Sequence, residues 1–469
     1  MSIYKLSLLL FVTIWYFQCT GQKNQASPAM EQPSFILPEW AKNANIYEVN
    51  IRQYTPEGTF LAFKKHLPRL QKMGVQILWF MPIYPISDTK KKGSLGSYYA
   101  VTDFQNTNPK FGTFEEFKSV VDEAHQLGMK VILDWVPNHT GWDHVWMKTN
   151  PDFYTKNDKG EIIDPLNERG ESMGWTDVAD LNYDNKALWD SMKNDMLFWV
   201  NECKIDGFRQ DMAMLVPLEF WKKTNKELLA VNPDLFLLAE SEEKDHINQD
   251  CFHVCYGWSF HHILNDIAKG KKKASDLDNW RKDEFPKITK GNYMFFITNH
   301  DENSWSGSEI ERMGEAYKTM AVLAHTYDGV PLMYSGQEEP LVKRLEFFEK
   351  DTIPFAKYEN AGFYEKLLKL KKENKALWNA PYGGSLQRIM THQDIFAFKR
   401  QKDDIQVLVL LNLSEKMQKI IPDIEFSGVN VLTGYETVLA KGKEFEFAPW
   451  QAFVLIPKQN HLISCKNQY

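Results

Sequence analysis

Residues 114–136 have the sequence FEEFKSVVDEAHQLGMKVILDWV, in which a helical pattern is followed by a strand pattern. Apolar residues recur at helical spacing over residues 114–127, and Gly128 stands where a helix commonly ends. The apolar run at residues 131–136 has the length of a buried strand. A helix that leads into a buried strand is the unit from which parallel sheets are assembled.

The same alternation continues along the chain from about residue 43, with further helical spacing at residues 187–200 and 363–374. Short apolar runs separated by longer amphipathic stretches are typical of a parallel sheet covered by helices. Eight such units predict a (β/α)8 barrel. The predicted strands lie at residues 46–49, 77–81, 131–136, 207–211, 235–239, 252–256, 293–298 and 330–334.

Two regions depart from this alternation. Residues 139–183 follow the third strand, are rich in Trp, Asp, Asn and Gly, and are too long for a plain βα loop, so we expect a small inserted subdomain. Beyond the helix at residues 363–374 the sequence alternates apolar and polar residues between turns, which predicts a C-terminal antiparallel β-sandwich domain at residues 380–457. The barrel is therefore assigned to residues 43–379, and residues 458–469 form a tail.

The first residues have the pattern of an export signal. Lys5 precedes an apolar run at residues 6–17, which is too short to span a bilayer but suits a signal peptide at residues 1–19. A linker follows at residues 20–42. Cys19 ends the apolar region as in bacterial lipoproteins, which leaves two outcomes open: lipidation of Cys19, or its removal with the signal. We expect a periplasmic, membrane-anchored or secreted protein, with Cys19 as the only link to a membrane.

Composition excludes some partners and leaves other questions open. The chain has 55 basic and 62 acidic residues among 469, and its net charge of −7 does not indicate the excess of basic residues that nucleic-acid binding requires. The lysine runs at residues 90–92 and 271–273 predict solvated surface.

Aromatic residues make up 14% of the chain, which fits either a ring-rich interior or an aromatic-lined cleft. Cys251 and Cys255 are either a disulfide or two separate buried thiols.

Acidic residues end the apolar runs of four of the predicted strands. Barrel enzymes have their active sites at the carboxyl ends of their strands, so we expect these acids to lie together at one end of the barrel. His139 and His300 lie close to two of them in the sequence, which favours an active site over four unrelated surface acids. The acids are Asp134, Asp211, Glu240 and Asp301.

Clustered carboxylates bind hard cations or carry out acid/base chemistry on sugars. Arg209 lies two residues before Asp211, and hence on the same face of the strand, where a guanidinium competes with a metal and favours an ionised carboxylate. Glycoside hydrolysis with retention needs one ionised carboxylate and one protonated acid about 5 to 5.5 Å apart. Asp211 and Glu240 end consecutive predicted strands, where that separation is attainable.

Seven segments, in this order along the chain, resemble the conserved motifs of the α-amylase family of glycoside hydrolases. Four are similar to its signature regions, one to its second strand, one to the end of its inserted domain and one to its eighth strand. They are GVQILWFMP at 74–82, DWVPNH at 134–139, ADLN at 179–182, GFRQD at 207–211, LAE at 238–240, NHD at 299–301 and GVPLMYSGQE at 329–338.

The resemblance implies roles for individual residues. It makes Asp211 the nucleophile, Glu240 the general acid/base, and Asp301 a third acid that grips sugar hydroxyls and favours ring distortion. The implied supporting residues are Arg209, which orients Asp211; His139 and His300, which hydrogen-bond the sugar; Tyr99, which stacks on it; and Asp134, which holds its neighbours in place.

The resemblance also raises the question of a structural calcium ion. Asn138 and Asp180 match positions that ligate Ca²⁺ in calcium-dependent members of the family. Two oxygen ligands are few for an ion that takes about six to eight, so calcium stays open, and no cofactor is required by the implied chemistry.

The sequence therefore predicts a retaining α-glucan hydrolase that cleaves α-1,4-glucosidic bonds of starch or maltooligosaccharides. An enzyme of the same fold that passes the glucosyl group to another sugar, as a transglycosylase or isomerase, is the nearest alternative. The others are a non-catalytic glucan-binding protein and a divalent-metal site for unrelated chemistry.

Overall fold

The computed structural model describes residues 35–167 and 169–458. The predicted signal at residues 1–19, Cys19, most of the linker and all but the first residue of the tail lie outside the described residues. None of the helices within residues 35–167 and 169–458 is long and apolar enough to cross a membrane.

Eight parallel strands close into a barrel, as predicted, in the spatial order β1-β10-β9-β8-β7-β6-β3-β2. All eight predicted strands are present, with ends that differ by at most three residues from the prediction. Strands β4 and β5 pair only with each other, antiparallel, outside the barrel. The bounds are β1 Ile46–Val49, β2 Ile77–Phe80, β3 Lys130–Trp135, β4 His139–Gly141, β5 Val178–Asp180, β6 Gly207–Gln210, β7 Phe236–Ala239, β8 Val254–Tyr256, β9 Asn292–Phe295 and β10 Gly329–Tyr334.

Helices surround the barrel. The one predicted at residues 114–127 begins with a capping box, in which Thr113 accepts a hydrogen bond from the Glu116 amide and Glu116 accepts one from the Thr113 amide. The helices are α1 Ile51–Tyr54, α2 Phe60–Lys64, α3 Leu67–Met73, α4 Phe114–Gln126, α5 Val145–Thr149, α6 Lys186–Phe198, α7 Leu218–Val231, α8 Lys244–Asn248, α9 Trp258–Ala268, α10 Ala274–Asp283, α11 Glu309–Met313, α12 Tyr317–Thr326 and α13 Ala361–Glu373.

The barrel interior is filled by side chains from alternate strand positions, so it is a packed core rather than a channel. Ile46, Trp79 and Phe236 are fully buried there with residues from the other strands. At Gly207 a Cβ atom would lie 1.9 Å from the carbonyl oxygen of Phe236. Only glycine therefore permits the close approach of β6 and β7, the two strands that carry Arg209 and lead to Glu240.

The segment between β3 and α6 forms the inserted region. Besides β4 and β5 it contains α5 and a short 3₁₀ helix, Pro151–Phe153. Its β4–β5 pair places His139 beside Asp180 in register. Since β4 begins four residues after β3 ends, the insertion stands over the carboxyl end of the barrel.

The C-terminal region is an antiparallel sheet of six strands in the order β11-β12-β13-β18-β15-β16, with a separate β14–β17 pair. One face of β12 buries Ile395 and Ala397 in a small core that includes β14 and β17. The other face buries Phe396 and Phe398 in the main core with the barrel helices. The strands are β11 Leu386–Thr391, β12 Ile395–Lys402, β13 Ile405–Asn412, β14 Gln418–Ile420, β15 Phe426–Asn430, β16 Glu436–Leu439, β17 Phe445–Phe447 and β18 Ala452–Pro457.

The cysteines of the described residues are unpaired. Cys203, Cys251 and Cys255 are all buried free thiols. Of the two alternatives for Cys251 and Cys255, the structure has separate thiols rather than a disulfide.

Candidate active site

One buried arginine joins three carboxylates at the carboxyl ends of the neighbouring strands β3, β6 and β7. Nη1 of Arg209 lies 2.7 Å from Oδ1 of Asp134 and 2.7 Å from Oδ1 of Asp211. Its Nη2 lies 2.7 Å from Oε2 of Glu240. Arg209 and Asp134 are fully buried, and Asp211 and Glu240 are each 5% exposed. The structure therefore brings these predicted residues together, with Arg209 between them.

The site holds four predicted acids but only one arginine to compensate their charge, and this affects the pKa values of the acids. Burial raises the pKa of Asp211, Arg209 lowers it, and the carboxylates of Glu240 and Asp134 raise it, with a net increase well above the usual value. Burial likewise raises the pKa of Asp134, to about 6, against the opposing effect of Arg209. Arg209 favours an ionised Asp211, as the sequence suggested, but burial outweighs it in the substrate-free cleft, so the cluster retains protons.

Glu240 is held by the backbone as well as by Arg209. Its Oε2 accepts a hydrogen bond from the amide of Met212 at 2.8 Å. Met212 has a left-handed backbone, with φ of 43°, which is rare for a residue with a side chain. This turn after β6 aims the Met212 amide at the carboxylate, so the loop that follows the Asp211 strand fixes Glu240.

Tyr99, His300 and Asp301 form the opposite side of the site. The hydroxyl of Tyr99 donates to Oδ2 of Asp134 at 3.1 Å and lies 2.8 Å from Nε2 of His300. That same nitrogen lies 3.3 Å from Oδ2 of Asp301, whose side chain is 34% exposed. Asp301 is the most accessible of the predicted acids, as expected for a group that contacts a ligand directly.

These residues line a cavity of about 230 Å³ between the barrel and the insertion. His139 lies on one wall with its ring 5.7 Å from that of Trp175. Burial lowers the pKa of His139 to about 4, so its imidazole is neutral at pH 7. The opposite wall carries three aromatic residues, of which Trp305 is 55% exposed. The aromatic lining residues are Tyr99, Trp175, Trp305, Phe347 and Phe348.

The high aromatic content therefore has both of the uses that composition left open. Most rings are buried in the core, including Trp79, Trp135, Trp199 and Trp221. The five aromatic residues of the cavity form the second group. Flat rings that line a pocket provide stacking surfaces for the apolar faces of sugars.

Sequence reasoning missed several residues of the site. Lys92 was assigned to a solvated run, but its Nζ lies 2.8 Å from Oδ1 of Asp177 in the insertion and 3.1 Å from the carbonyl oxygen of Gly174. The prediction was wrong for Lys92 because its loop packs against the insertion, a contact between distant parts of the chain. Glu48, on β1, is the second missed residue, and its Oε1 lies 2.5 Å from Nδ1 of His300.

Asn138 and Asp180 do not complete a calcium site by themselves. The two residues are close in the fold, since the amide of Leu181 donates to the carbonyl of Asn138 at 3.2 Å. Within residues 35–167 and 169–458, however, no group of three or more His, Cys, Asp or Glu side chains is placed to hold a metal ion. Calcium binding stays a prediction, and no chemical step is derived from it.

The guanidinium of Arg209 and its carboxylate partners lie at the carboxyl ends of the barrel strands, where barrel enzymes have their active sites. A family model described as the alpha amylase catalytic domain matches residues 35–354. Alpha-amylase 3 of Dictyoglomus thermophilum is 26% identical in an alignment 440 residues long that covers 80% of this chain and 85% of that protein. Cyclomaltodextrinase of Thermoanaerobacter pseudethanolicus is 23% identical, over 91% and 79% of the two chains.

Solved structures agree with this match. The crystal structure of a noncanonic maltogenic alpha-amylase from Thermotoga neapolitana matches with a TM-score of 0.79 and 27% identity, over 89% of this chain and 99% of the other. The chain belongs to the alpha-amylase family, and it is a glycoside hydrolase.

Proposed function

We propose that the protein cleaves α-1,4-glucosidic bonds of α-glucans, such as starch or maltooligosaccharides, by hydrolysis with retention of configuration. The observation that carries the proposal is the shared guanidinium of Arg209, which holds Asp211 and Glu240 side by side at the cavity. The similarity to enzymes named alpha-amylase, cyclomaltodextrinase and maltogenic alpha-amylase supports an α-glucan as substrate.

In the first step, a carboxylate oxygen of Asp211 attacks the anomeric carbon, while Glu240 gives its proton to the glycosidic oxygen, so the C–O bond breaks and the leaving sugar departs as an alcohol. The Asp211–sugar ester is then attacked by water. Glu240, now ionised, takes the proton of that water, and Asp211 is released as a carboxylate.

The surrounding residues position the sugar. Asp301, with its partly exposed carboxylate, accepts hydrogen bonds from sugar hydroxyls, and neutral His139 approaches from the insertion. Tyr99 is buried against His300, with ring centroids 5.6 Å apart and planes 22° apart. This packing fixes the ring on which the sugar at the cleavage position stacks.

The product mixture from maltoheptaose tests the proposal against transfer to another sugar. We expect shorter maltooligosaccharides as main products, with the α-anomer dominant in proton NMR spectra recorded during the first minutes. Longer oligosaccharides or an isomerised disaccharide as main product would establish a transferase or isomerase instead. A β-anomer at first release would exclude retention.

A glucan-binding protein without catalysis is the alternative from another class. The buried cluster of Asp211, Glu240 and Arg209 counts against it, because burying several charged groups together costs free energy that stacking on aromatic rings does not require. Binding of maltoheptaose without any release of reducing ends would support that alternative.

A further inference from the structure

Glu48 and His300 form a buried pair at the floor of the cavity. Glu48 lies on β1 and is fully buried, and His300, after β9, is 2% exposed. Oε1 of Glu48 lies 2.5 Å from Nδ1 of His300, within hydrogen-bond distance. Oε2 of Glu48 has no hydrogen-bond partner among the described residues, so His300 is the one group that compensates this carboxylate directly.

The hydrogen bonds around His300 fix the number of its protons. The single proton of the Tyr99 hydroxyl is donated to the carboxylate of Asp134. Tyr99 therefore accepts at its oxygen, and Nε2 of His300, 2.8 Å away, is the donor. Nδ1 faces Oε1 of Glu48, whose pKa is raised by burial against the opposing effects of His300 and Arg209, and an ionised Glu48 accepts from this nitrogen. Both ring nitrogens then carry protons, and the imidazole is a cation.

We propose that Glu48 is a positioning residue, which holds His300 as a doubly protonated imidazolium with Nε2–H directed at the sugar-binding cavity. Because this deepens the role of the proposed sugar site, it rests on the proposed function for its biological meaning. The proton count itself depends only on the contacts of the substrate-free protein.

The charged groups that face the pair agree with this assignment. Asp301 adds a second carboxylate, with Oδ2 3.3 Å from Nε2 of His300. Arg209 opposes it from β6, and Asp134 lies beyond the hydroxyl of Tyr99. Trp79, from β2, presents its ring edge to the imidazole at 6.0 Å. Burial alone lowers the pKa of His300, but the carboxylates of Asp301 and Glu48 together raise it to about 9.

A cationic His300 has two consequences for the site. It donates a charge-assisted hydrogen bond to a sugar hydroxyl, which is stronger than one from a neutral imidazole. It also lowers the pKa of Asp301, against the increase caused by burial, and so favours the form that accepts hydrogen bonds from the sugar.

The test begins with the substrate-free wild-type enzyme. NMR of the ¹⁵N-labelled histidine side chains, with His300 assigned from the His300→Gln variant, should show both ring nitrogens protonated at pH 7 and a titration midpoint above about 8. A neutral His300 at pH 7 would overturn the proposal. The measurement uses no substrate, so it gives an answer even if the proposed function fails.

Glu48→Gln is the matching variant, since its amide oxygen still accepts from Nδ1–H but carries no charge. We expect the His300 midpoint to fall by more than about one pH unit. With maltoheptaose, kcat/KM should stay within about threefold of wild type at pH 5.5 and fall about tenfold at pH 8. Equal losses at both pH values would indicate a merely structural role and refute the proposal.

Three controls complete the experiment. Glu48→Asp keeps the charge and should retain the high midpoint. In the His300→Gln background, Glu48→Gln should add no further pH-dependent loss. Glu57→Gln removes an exposed acid near the same strand and should leave both the midpoint and the pH profile unchanged. A midpoint that fell equally in Glu48→Asp, or a further pH-dependent loss in the His300→Gln background, would contradict the charge-based role.

Discussion

Arg209 places Nη2 2.7 Å from Oε2 of Glu240, and the same side chain binds Asp211 through Nη1. A planar guanidinium cannot move one of these contacts without moving the other. The distance between the proposed nucleophile and the proposed acid is therefore set by one rigid group, which is itself fully buried.

Arg209→Lys tests this coupling. An ammonium reaches one carboxylate but lacks the planar fork that holds Asp211 and Glu240 together, so we expect kcat/KM to fall by about 100-fold or more. Steady-state kinetics on maltoheptaose measure the loss, and a circular dichroism melt checks folding. Retention of most of the activity would show that the two carboxylates do not depend on Arg209 for their geometry.

Asp211→Asn should abolish catalysis while preserving the cavity. The amide is close in size to the carboxylate but does not form the ester with the sugar, so the rate should fall by about 10³-fold or more. Reducing-end assays measure the rate, and calorimetry with maltoheptaose should show that binding is largely kept. An unchanged rate would refute Asp211 as nucleophile.

Lys92→Met should weaken substrate binding by loosening the contact between the loop and the insertion. The variant leaves Asp177, which is 5% exposed, without its ion pair, and we expect KM for maltoheptaose to rise by roughly three- to tenfold with a smaller change in kcat. Lys91→Met is the matched control, because its partner Asp88 has an 85% exposed side chain and an exposed pair contributes little. Equal effects of the two variants would exclude a specific role for the Lys92–Asp177 pair.

Glu309→Gln should stabilise the protein above neutral pH. Glu309 is buried, and burial raises its pKa to about 7, so the folded protein keeps this proton at pH values where the unfolded chain has lost it. Wild-type stability therefore falls as the pH rises from about 4.5 to about 7, and glutamine removes that loss, worth roughly 1 to 3 kcal/mol. Denaturant unfolding at pH 5 and pH 8 should show a gain mainly at pH 8; a gain of the same size at pH 5 would contradict the explanation.

The barrel and most of the site could be predicted because each acid lies at or just beyond the carboxyl end of its own strand. Asp134, Asp211, Glu240 and Asp301 end apolar runs, and the barrel geometry brings such ends together without any further information. Glu48 could not be found this way. Glu48 lies inside strand β1. In the sequence it is only one acidic residue between apolar ones, and its partner His300 is 252 positions away.

Other features depend on contacts between distant segments. In the sequence Lys92 belongs to a lysine run that is typical of solvated surface, and its contact with the insertion arises only in the folded protein. Trp305 becomes part of the cavity only through the π-helical turn Glu302–Ser306. The raised pKa of Asp211 likewise follows chiefly from its burial in the folded protein, to which Glu240 and Asp134 add, whereas the sequence neighbour Arg209 alone gives the opposite direction.

The two-faced C-terminal sheet limits how far this enzyme can be shortened. Phe396 and Phe398 pack beside Tyr327 at the end of α12, and Arg400 donates to the carbonyl oxygens of Tyr327 and Trp378. A chain that stopped after α13 would expose this apolar surface of the barrel to water. Exchange of C-terminal regions between relatives should therefore yield soluble chimeras only where the aromatic pair and the arginine are transferred together.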